Sequence, residues 1–418
     1  MKRSNLLLLL LPLALLAGCE GLTESDFDRE RTEIPLDARI LNSDQVMAIA
    51  SASSDYATSD IALVTNAQAS MAVLLEGQFA TTTPNDIAIS THGDALYRLG
   101  RFQSDSVTKY NLGSRAQPDN LWQFSVQGAD ASANPYKLTF VSDEKALLVR
   151  YDAPTAWLVN PSVTSGNEAS FKLGELDLSA YAHEGSGGTP RATDALVVDD
   201  HLYVLMQRLD SDFQARQPSY VAVFELPDLT EVDTNPEAEL KGVELPVRNA
   251  ANLSYHNGTL YVAGRGNTAW GADEGVEVRG LVAIDTSDHE AALIYDGSKA
   301  EFEAYGSFER VVITGDHHGY FVGRAGWGND TLYHFNPTSP DQSITAIEGL
   351  EGVSIADVVF NQLTDSDATY LNLLYVAVQP GFDTEAKGRV AVINTQDQSQ
   401  IAEIEMMFNP TDIEFLGR

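Results

Sequence analysis

The chain has 418 residues, more than one ordinary hydrophobic core can organise, since single cores stop growing at about 250–300 residues. Either several domains follow one another or one small unit repeats. Lys and Arg number 26 against 60 Asp and Glu, a net charge of −34, which argues against a nucleic-acid partner because phosphate binding needs clustered cations; with 44% apolar and 21% charged residues most of the chain can fold, and the acid excess reads as solvated surface.

Met1-Lys2-Arg3 is a short basic segment, and Leu6 to Leu16 is an apolar run. The run is shorter than the roughly 20 residues a bilayer span needs and fits the apolar region of a secretory signal peptide. It ends in Leu16-Ala17-Gly18-Cys19, which resembles the lipobox of bacterial lipoproteins. That resemblance implies cleavage before Cys19 and diacylation of Cys19 as the first mature residue. Cys19 is also the single Cys, so no disulfide forms within the chain and stability must come from packing. Glu20, not Asp, follows Cys19; by resemblance to sorted lipoproteins this points to the outer membrane. Residues 1–18 then form the signal peptide, and the polar, charged stretch 19–45 a lipidated tether. Residues 46–418 form the folded part. Asp44 to Ala52 offers a short helical stretch; no long segment carries helical periodicity.

From about residue 60 onward, short apolar runs alternate with turn residues, an all-β signal. One class of run opens with a polar residue and recurs seven times, from Asp86-Ile87-Ala88-Ile89 and Lys137-Leu138-Thr139-Phe140 to Asp357-Val358-Val359-Phe360 and Asp412-Ile413-Glu414-Phe415. The period is roughly 54 residues, enough for four strands and their turns. A second run follows each of the first six, as in Leu96-Tyr97-Arg98-Leu99 and Leu260-Tyr261-Val262-Ala263, and then a third, as in Leu281-Val282-Ala283-Ile284-Asp285 and Val390-Ala391-Val392-Ile393-Asn394. These are strands A, B and C of a repeated unit, with Leu121–Val126, Ala291–Tyr295 and Ile401–Phe408 as candidates for strand D. The seventh A strand has no chain after it. Asp60–Val64 and Met71–Leu75 read as its B and C partners, so the C-terminal strand completes the N-terminal unit, a closure that removes open sheet edges. The expectation is an all-β, seven-bladed β-propeller.

Strand C with its trailing Asp or Asn resembles the YVTN-type repeat proteins and the bacterial propeller lipoproteins. No series of Trp-Asp dipeptides supports the WD40 family. Some propeller lipoproteins of this general type capture nutrients beside an outer-membrane transporter; no motif here carries a particular ligand over.

Antiparallel order puts the starts of the A strands and the ends of the B strands on one face. The B strands end in Arg101, Arg150, Arg208, Arg265 and Arg324, with Gln379 in the sixth, and the segments leading into A add Arg191, Arg248 and Arg310. Phe102, Trp270, Trp327 and Phe382 follow in the B–C loops. Guanidinium forks suit carboxylate or phosphate and aromatics add apolar contact, so the face suits a small anionic organic ligand. Alternatively, each Arg pairs with a blade carboxylate such as Asp86, Asp194, Glu309, Asp357 or Asp412; the two readings can coexist. On the opposite face His92, His201, His256, His317 and His318 fall in A–B turns beside Asp94, Asp199, Asp200 and Asp316. They lie in different blades without a paired-ligand spacing, so no metal is expected there. Asp210-Ser211-Asp212 and Asp365-Ser366-Asp367 lack the Gly and terminal Glu of an EF-hand loop.

No G-x-S-x-G, H-E-x-x-H, P-loop or G-x-G-x-x-G motif is present, and no cofactor is expected. The leading expectation is a non-catalytic, membrane-anchored propeller that binds a small ligand on its Arg/aromatic face and hands it to an outer-membrane transporter. A protein–protein scaffold in envelope assembly and a propeller hydrolase or lyase are the alternatives.

Overall fold

The computed structural model describes residues 46–65, 73–112, 119–267, 278–340, 344–364, 370–380 and 387–417. Cys19, the signal and tether segments, Trp270, Phe382 and Asp365–Asp367 lie outside the described residues. Seven antiparallel sheets stand around one axis as the blades of a β-propeller.

Blade one combines β1 (Val46–Ala52), β2 (Ser59–Thr65) and β3 (Val73–Leu75) with the last strand, β29 (Asn409–Leu416), in the order β29-β1-β2-β3. Blade two is β4 (Ile87–His92), β5 (Ala95–Gly100), β6 (Ser106–Asn111) and β7 (Asp119–Ser125). Blade three is β8 (Pro135–Ser142), β9 (Lys145–Arg150), β10 (Thr155–Val159) and β11 (Lys172–Asp177). In blade four, β12 (Ala192–Val198), β13 (His201–Met206) and β14 (Tyr220–Glu225) are followed by two short pieces, β15 (Thr230–Glu231) and β16 (Val243–Glu244), which both pair with β14. Blade five is β17 (Ala250–His256), β18 (Thr259–Gly264), β19 (Gly280–Asp285) and β20 (Ala291–Asp296). Blade six is β21 (Ser307–Gly315), β22 (His318–Gly326), β23 (Asn329–Phe335) and β24 (Thr345–Ala346). Blade seven is β25 (Ser354–Thr364), β26 (Tyr370–Gln379), β27 (Arg389–Asn394) and β28 (Gln400–Glu405). No helix among the described residues is long and apolar enough to cross a membrane.

The closure by the C-terminal strand is as expected, but the partners shift by one place. Asp60–Val64 lies in β2, the third strand from the axis, and the Met71–Leu75 run supplies β3, the fourth. The second place belongs to β1, the stretch that reads locally as a short helix. Its sequence, Val-Met-Ala-Ile-Ala-Ser-Ala, has several residues of good helix propensity, yet all seven are buried. Ala48 and Ala50 pack with Ile87, Ile89 and Leu96 of blade two, while Met47 and Ile49 pack with Leu373, Tyr375 and Val392 of blade seven. Burial on both faces, with β29 and β2 on either edge, overrides local preference.

The apolar core is a ring of seven seams, one between each pair of neighbouring blades, and not one central mass. Each buried Val, Leu, Ile or Phe in a seam contributes about 1.5–3 kcal/mol, so every blade is held by both its neighbours.

A second ring, of polar contacts, runs inside the first. Asp412 of blade one accepts a hydrogen bond from the Ile89 amide of blade two at 2.9 Å. Ser90 accepts from the Leu138 amide at 3.2 Å. Lys137 pairs with Asp194 at 2.8 Å, and Asp194 accepts from the Leu253 amide at 2.8 Å. Asn252 both accepts from the Val311 amide and donates to its carbonyl, at 3.0 and 2.8 Å. Arg310 pairs with Asp357 at 2.8 Å, and Asp357 accepts from the Ile413 amide at 2.8 Å, returning to blade one. Innermost strands splay where they meet the axis, leaving backbone amides that no ladder satisfies; a side chain from the preceding blade reaches those of Ile89, Leu138, Leu253, Val311 and Ile413, whereas the Ala195 and Val358 amides are met by Asp194 and Asp357 of their own blades. Most of the polar residues at the heads of the A runs are these stitches.

Candidate functional site

The A strands begin, and the B strands end, at one face of the ring, here called the mouth; the A–B turns lie on the opposite, hairpin face. At the mouth, the amides of Arg101, Tyr151, Gln207 and Arg265 each donate to the carbonyl of the residue before strand A, respectively Asp86, Asn134, Arg191 and Asn249. Arg324 pairs in register with Ser307, and Gln379 with Ser354. The equivalent residues of blades two to seven are therefore Arg101, Tyr151, Gln207, Arg265, Arg324 and Gln379, and all six line a cavity.

This corrects two of the expected site residues. Arg150 is one residue before its blade's equivalent position and Arg208 one after, and in extended chain one step reverses a side chain. The Arg150 side chain is fully buried, donating to the Val126 and Gln127 carbonyls and to Asp130. Arg208 donates to the Tyr181 and Pro218 carbonyls and lies over the Tyr220 ring. Both tie neighbouring segments together and line neither cavity. Their places are taken by Tyr151 and Gln207, joined by a 3.0 Å hydrogen bond from the Tyr151 hydroxyl to Gln207 Oε1. A sequence signal separates the two groups: Arg101, Arg265 and Arg324 each follow a glycine, and Arg150 and Arg208 do not. A Cβ on Gly264 would stand 2.4 Å from the Val247 side chain, and one on Gly323 would stand 2.4 Å from the Tyr305 carbonyl. The incoming segment packs directly over these glycines, which fixes the register and turns the next side chain towards the axis.

Two chambers open at the mouth. The axial one, about 1020 Å³, is walled by all seven innermost strands. On one side of its rim a ladder of π contacts runs from Arg101 over Tyr136 at 4.1 Å, through the stacked Tyr136–Tyr151 pair at 4.4 Å, to Arg191, which lies 5.1 Å from Tyr151 and 4.7 Å from Phe213. Asp152 pairs with Arg191. Burial pushes the Tyr151 hydroxyl up, well above the ordinary tyrosine range, so it stays a donor.

Deeper, Lys137, Asp194, Arg310, Asp357, Asp412 and Glu414 face one another across the channel. Asp412 and Glu414 are two apart on β29 and share its axial face. Burial, with repulsion from Asp357, raises the Asp412 carboxyl to about 6. Glu414 rises to about 8, through burial first and then, against the pull of Lys137, repulsion from Asp412, Asp357 and Asp194. Burial alone would lower the Lys137 ammonium, but Asp194, Glu414 and Asp412 hold it above the ordinary lysine range.

The second chamber, a side cleft of about 870 Å³, lies among blades five, six, seven and one and shares Tyr56, Arg265, Arg310 and Ala356 with the first. Arg265, Arg324, Trp327 and Gln379, all expected at the site, meet here, together with Lys387. The ion-pairing alternative also holds: Glu309 receives Arg265 at 2.9 Å and Arg324 at 3.0 Å, Arg324 grips Asp330 at 2.6 Å, and Asp330 accepts from the Ile355 amide.

The hairpin face is built differently. His92 pairs with Asp143 at 2.8 Å and His256 with Asp316 at 2.7 Å, each linking the turns of neighbouring blades. His318 lies 3.2 Å from His334. Among the described residues no group of three or more His, Cys, Asp and Glu is placed to hold a metal ion.

No family model and no curated protein matches the chain. Solved structures do. A candidate 6-phosphogluconolactonase from Bacteroides uniformis is 12% identical, with 89% of this chain and 99% of that one covered at a TM-score of 0.56. A second candidate 6-phosphogluconolactonase, from Bacteroides fragilis, is 13% identical over 90% and 98% of the two chains, also at 0.56. A lignostilbene dioxygenase from Pseudomonas brassicacearum is 12% identical over 92% and 94%, at 0.55. At such identity the likeness is one of fold.

Proposed function

We propose that this protein is a lipid-anchored, non-catalytic binding propeller of the bacterial outer membrane. Cys19 carries the anchor, and the mouth captures a small organic anion for delivery to an outer-membrane transporter. The observation that carries this reading is the asymmetry of the two faces. The mouth gathers Arg101, Arg265, Arg310, Arg324, Tyr136, Tyr151 and Trp327 around two joined chambers, whose volumes fall in or near the range of small-molecule sites, about 300–1000 Å³. The hairpin face spends its His and Asp on one another. Val46 pairs with Leu416 and Ala52 with Asn409, so the chain enters the ring at the hairpin face, opposite the mouth.

Native mass spectrometry of detergent-solubilised protein from its own host is the test. A retained small organic anion supports the reading, and a protein that leaves the host empty and takes up no organic anion refutes it. For the anchor, Cys19→Ala should move the protein from the membrane to the soluble fraction; unchanged fractionation would refute lipidation.

A hydrolase or lyase is the second reading, favoured by one feature: the Asp412–Glu414 carboxyl pair in the axial chamber, with values raised to about 6 and about 8, in the range useful for proton transfer near neutrality. Turnover of a retained ligand that Glu414→Gln abolishes would select this reading over capture.

A further inference from the structure

The side cleft has the character of a site for one class of molecule. Its rim is apolar. Trp327 is 82% exposed, Tyr56 61% and Met407 52%, and all three line this cleft. Large apolar side chains left in water around one concavity mark a binding surface. Trp327 stands on the β22–β23 turn between Gly326 and Gly328, the latter at φ +68°, a backbone that favours glycine.

Its floor is cationic in front and anionic behind. The Arg265, Arg310 and Arg324 side chains are 31%, 34% and 32% exposed. Their carboxylate partners Glu309, Asp357 and Asp330 are 9%, 2% and 0% exposed. Arg324 is committed, with Nε and Nη2 on Asp330 and Nη1 on Glu309. Arg265 is not: it reaches Glu309 by charge, but its buried Nε–H makes no hydrogen bond. Arg265 and Arg310 also stand where the two chambers meet.

Resting on the reading of the mouth as a binding face, we propose that the side cleft takes an amphipathic organic monocarboxylate. The carboxylate lies on Arg265 and Arg310, and the apolar body lies against Trp327, Tyr56 and Met407. The guanidinium fork matches a planar carboxylate with two parallel hydrogen bonds. Each guanidinium already has a carboxylate behind it, so the three Arg are balanced by Glu309, Asp357 and Asp330, and a single added negative charge disturbs that balance least. A dianionic head would add uncompensated charge to a protein that already carries −34.

The test is calorimetric titration of the detergent-solubilised full-length protein, with a micelle blank. The probes are 2-naphthoate, 2-naphthylmethanol (the same body without charge), acetate (the head alone) and 2-naphthyl phosphate (a dianionic head). Naphthoate should bind at least about tenfold more tightly than the other three, the separation expected when a charge-assisted contact is lost. Arg265→Gln should weaken naphthoate by about tenfold or more, and Trp327→Ala by about fivefold. His317→Ala, on the hairpin face, should leave it unchanged. Should Arg265→Gln unfold, Trp327→Ala decides alone, since its side chain is almost wholly in water. No binding of naphthoate, equal binding of the alcohol, tighter binding of the phosphate, or variants that bind like the parent would each overturn the proposal. If a ligand retained from the host survives Arg265→Gln and Trp327→Ala but is lost from Tyr136→Ala, the mouth still binds but the seat is the axial chamber. If no ligand is retained and no probe binds, the reading of the mouth fails with it.

Discussion

Asp357 closes the polar ring between blades seven and one, and its removal should be costly in a graded way. One carboxylate oxygen pairs with Arg310 and accepts from the Val358 amide, while the other accepts from the Ile413 amide. Ile413 is 1% exposed, so in Asp357→Ala its buried amide loses its partner, a loss of about 1–3 kcal/mol. Arg310 is about one-third exposed and can rehydrate, so its lost pair adds about 0–1 kcal/mol. The sum is about 1–4 kcal/mol. Asp357→Asn should cost only about 1 kcal/mol, because Asn252 already makes the equivalent stitch between blades five and six with a neutral amide. The cost should also shrink as pH rises through about 6, where Asp412 ionises: the Asp357 charge raises Asp412, so its removal then relieves a repulsion. Urea melts followed by tryptophan fluorescence at pH 5 and pH 8 would measure both effects. Alanine and asparagine variants with the same midpoint as the parent would refute the view that this ring holds the blades together.

Four further outcomes follow from the same geometry. Arg324→Gln should lower stability by roughly 3–5 kcal/mol, since it strands the fully buried Asp330; a melting profile like the parent's would show that the pair contributes nothing. Glu414→Gln should change the pH dependence. A carboxyl raised from its ordinary 4.5 to about 8 binds its proton more tightly in the folded protein, so the stability it contributes is complete below pH 4.5 and is lost as pH rises through 8. The variant should therefore hold its stability better than the parent between those values, and parallel parent and variant curves would count against the shift. Deleting Asn409–Leu416 removes the innermost strand of blade one, including Ile413 and Leu416 at 1% and 3% exposure. The loss should exceed the roughly 2–5 kcal/mol of a single core Ile→Ala change and abolish cooperative unfolding by calorimetry. By contrast, Asp316→Asn at the exposed His256 pair should leave the urea midpoint close to the parent's, and a clear drop would mean that the hairpin-face pairs are structural clamps.

The repeat was readable because its physics is local. Alternating runs mark strands, and the polar residue heading most A runs proves to be an inter-blade stitch. The missing strand of blade one was not readable from Val46 to Ala52, because small residues buried on both faces leave no alternation to see. The site was half readable for a related reason. Position near the end of a B strand predicts the mouth, but the side of the strand depends on a register one residue fine. Arg101, Arg265 and Arg324 have it, Arg150 and Arg208 miss it by one residue in either direction, and Tyr151 and Gln207 hold the places those two leave. The Gly-Arg pairs carried that information, through the close approach that only glycine permits. Of the side cleft, Arg265, Arg324, Trp327 and Gln379 were readable as residues of the mouth, while Tyr56 and Met407, which join them from far apart in the chain, were not.

The two-ended first blade also sets the order in which this protein can assemble. Ala50 and Thr411 meet across 361 residues, so β1, among the first folded residues to be made, waits for nearly the last. Contacts of such separation are slow to form. Until β29 arrives β1 has an open edge, and the seams that blade one shares with blades two and seven stay incomplete, the kind of exposed strand that invites misassembly. Blades two to seven are each continuous in sequence and can form as the chain emerges. Ring closure is a separate, final event, and a nascent or clipped chain lacking its last ten or so residues would hold its blades in an unclosed arc.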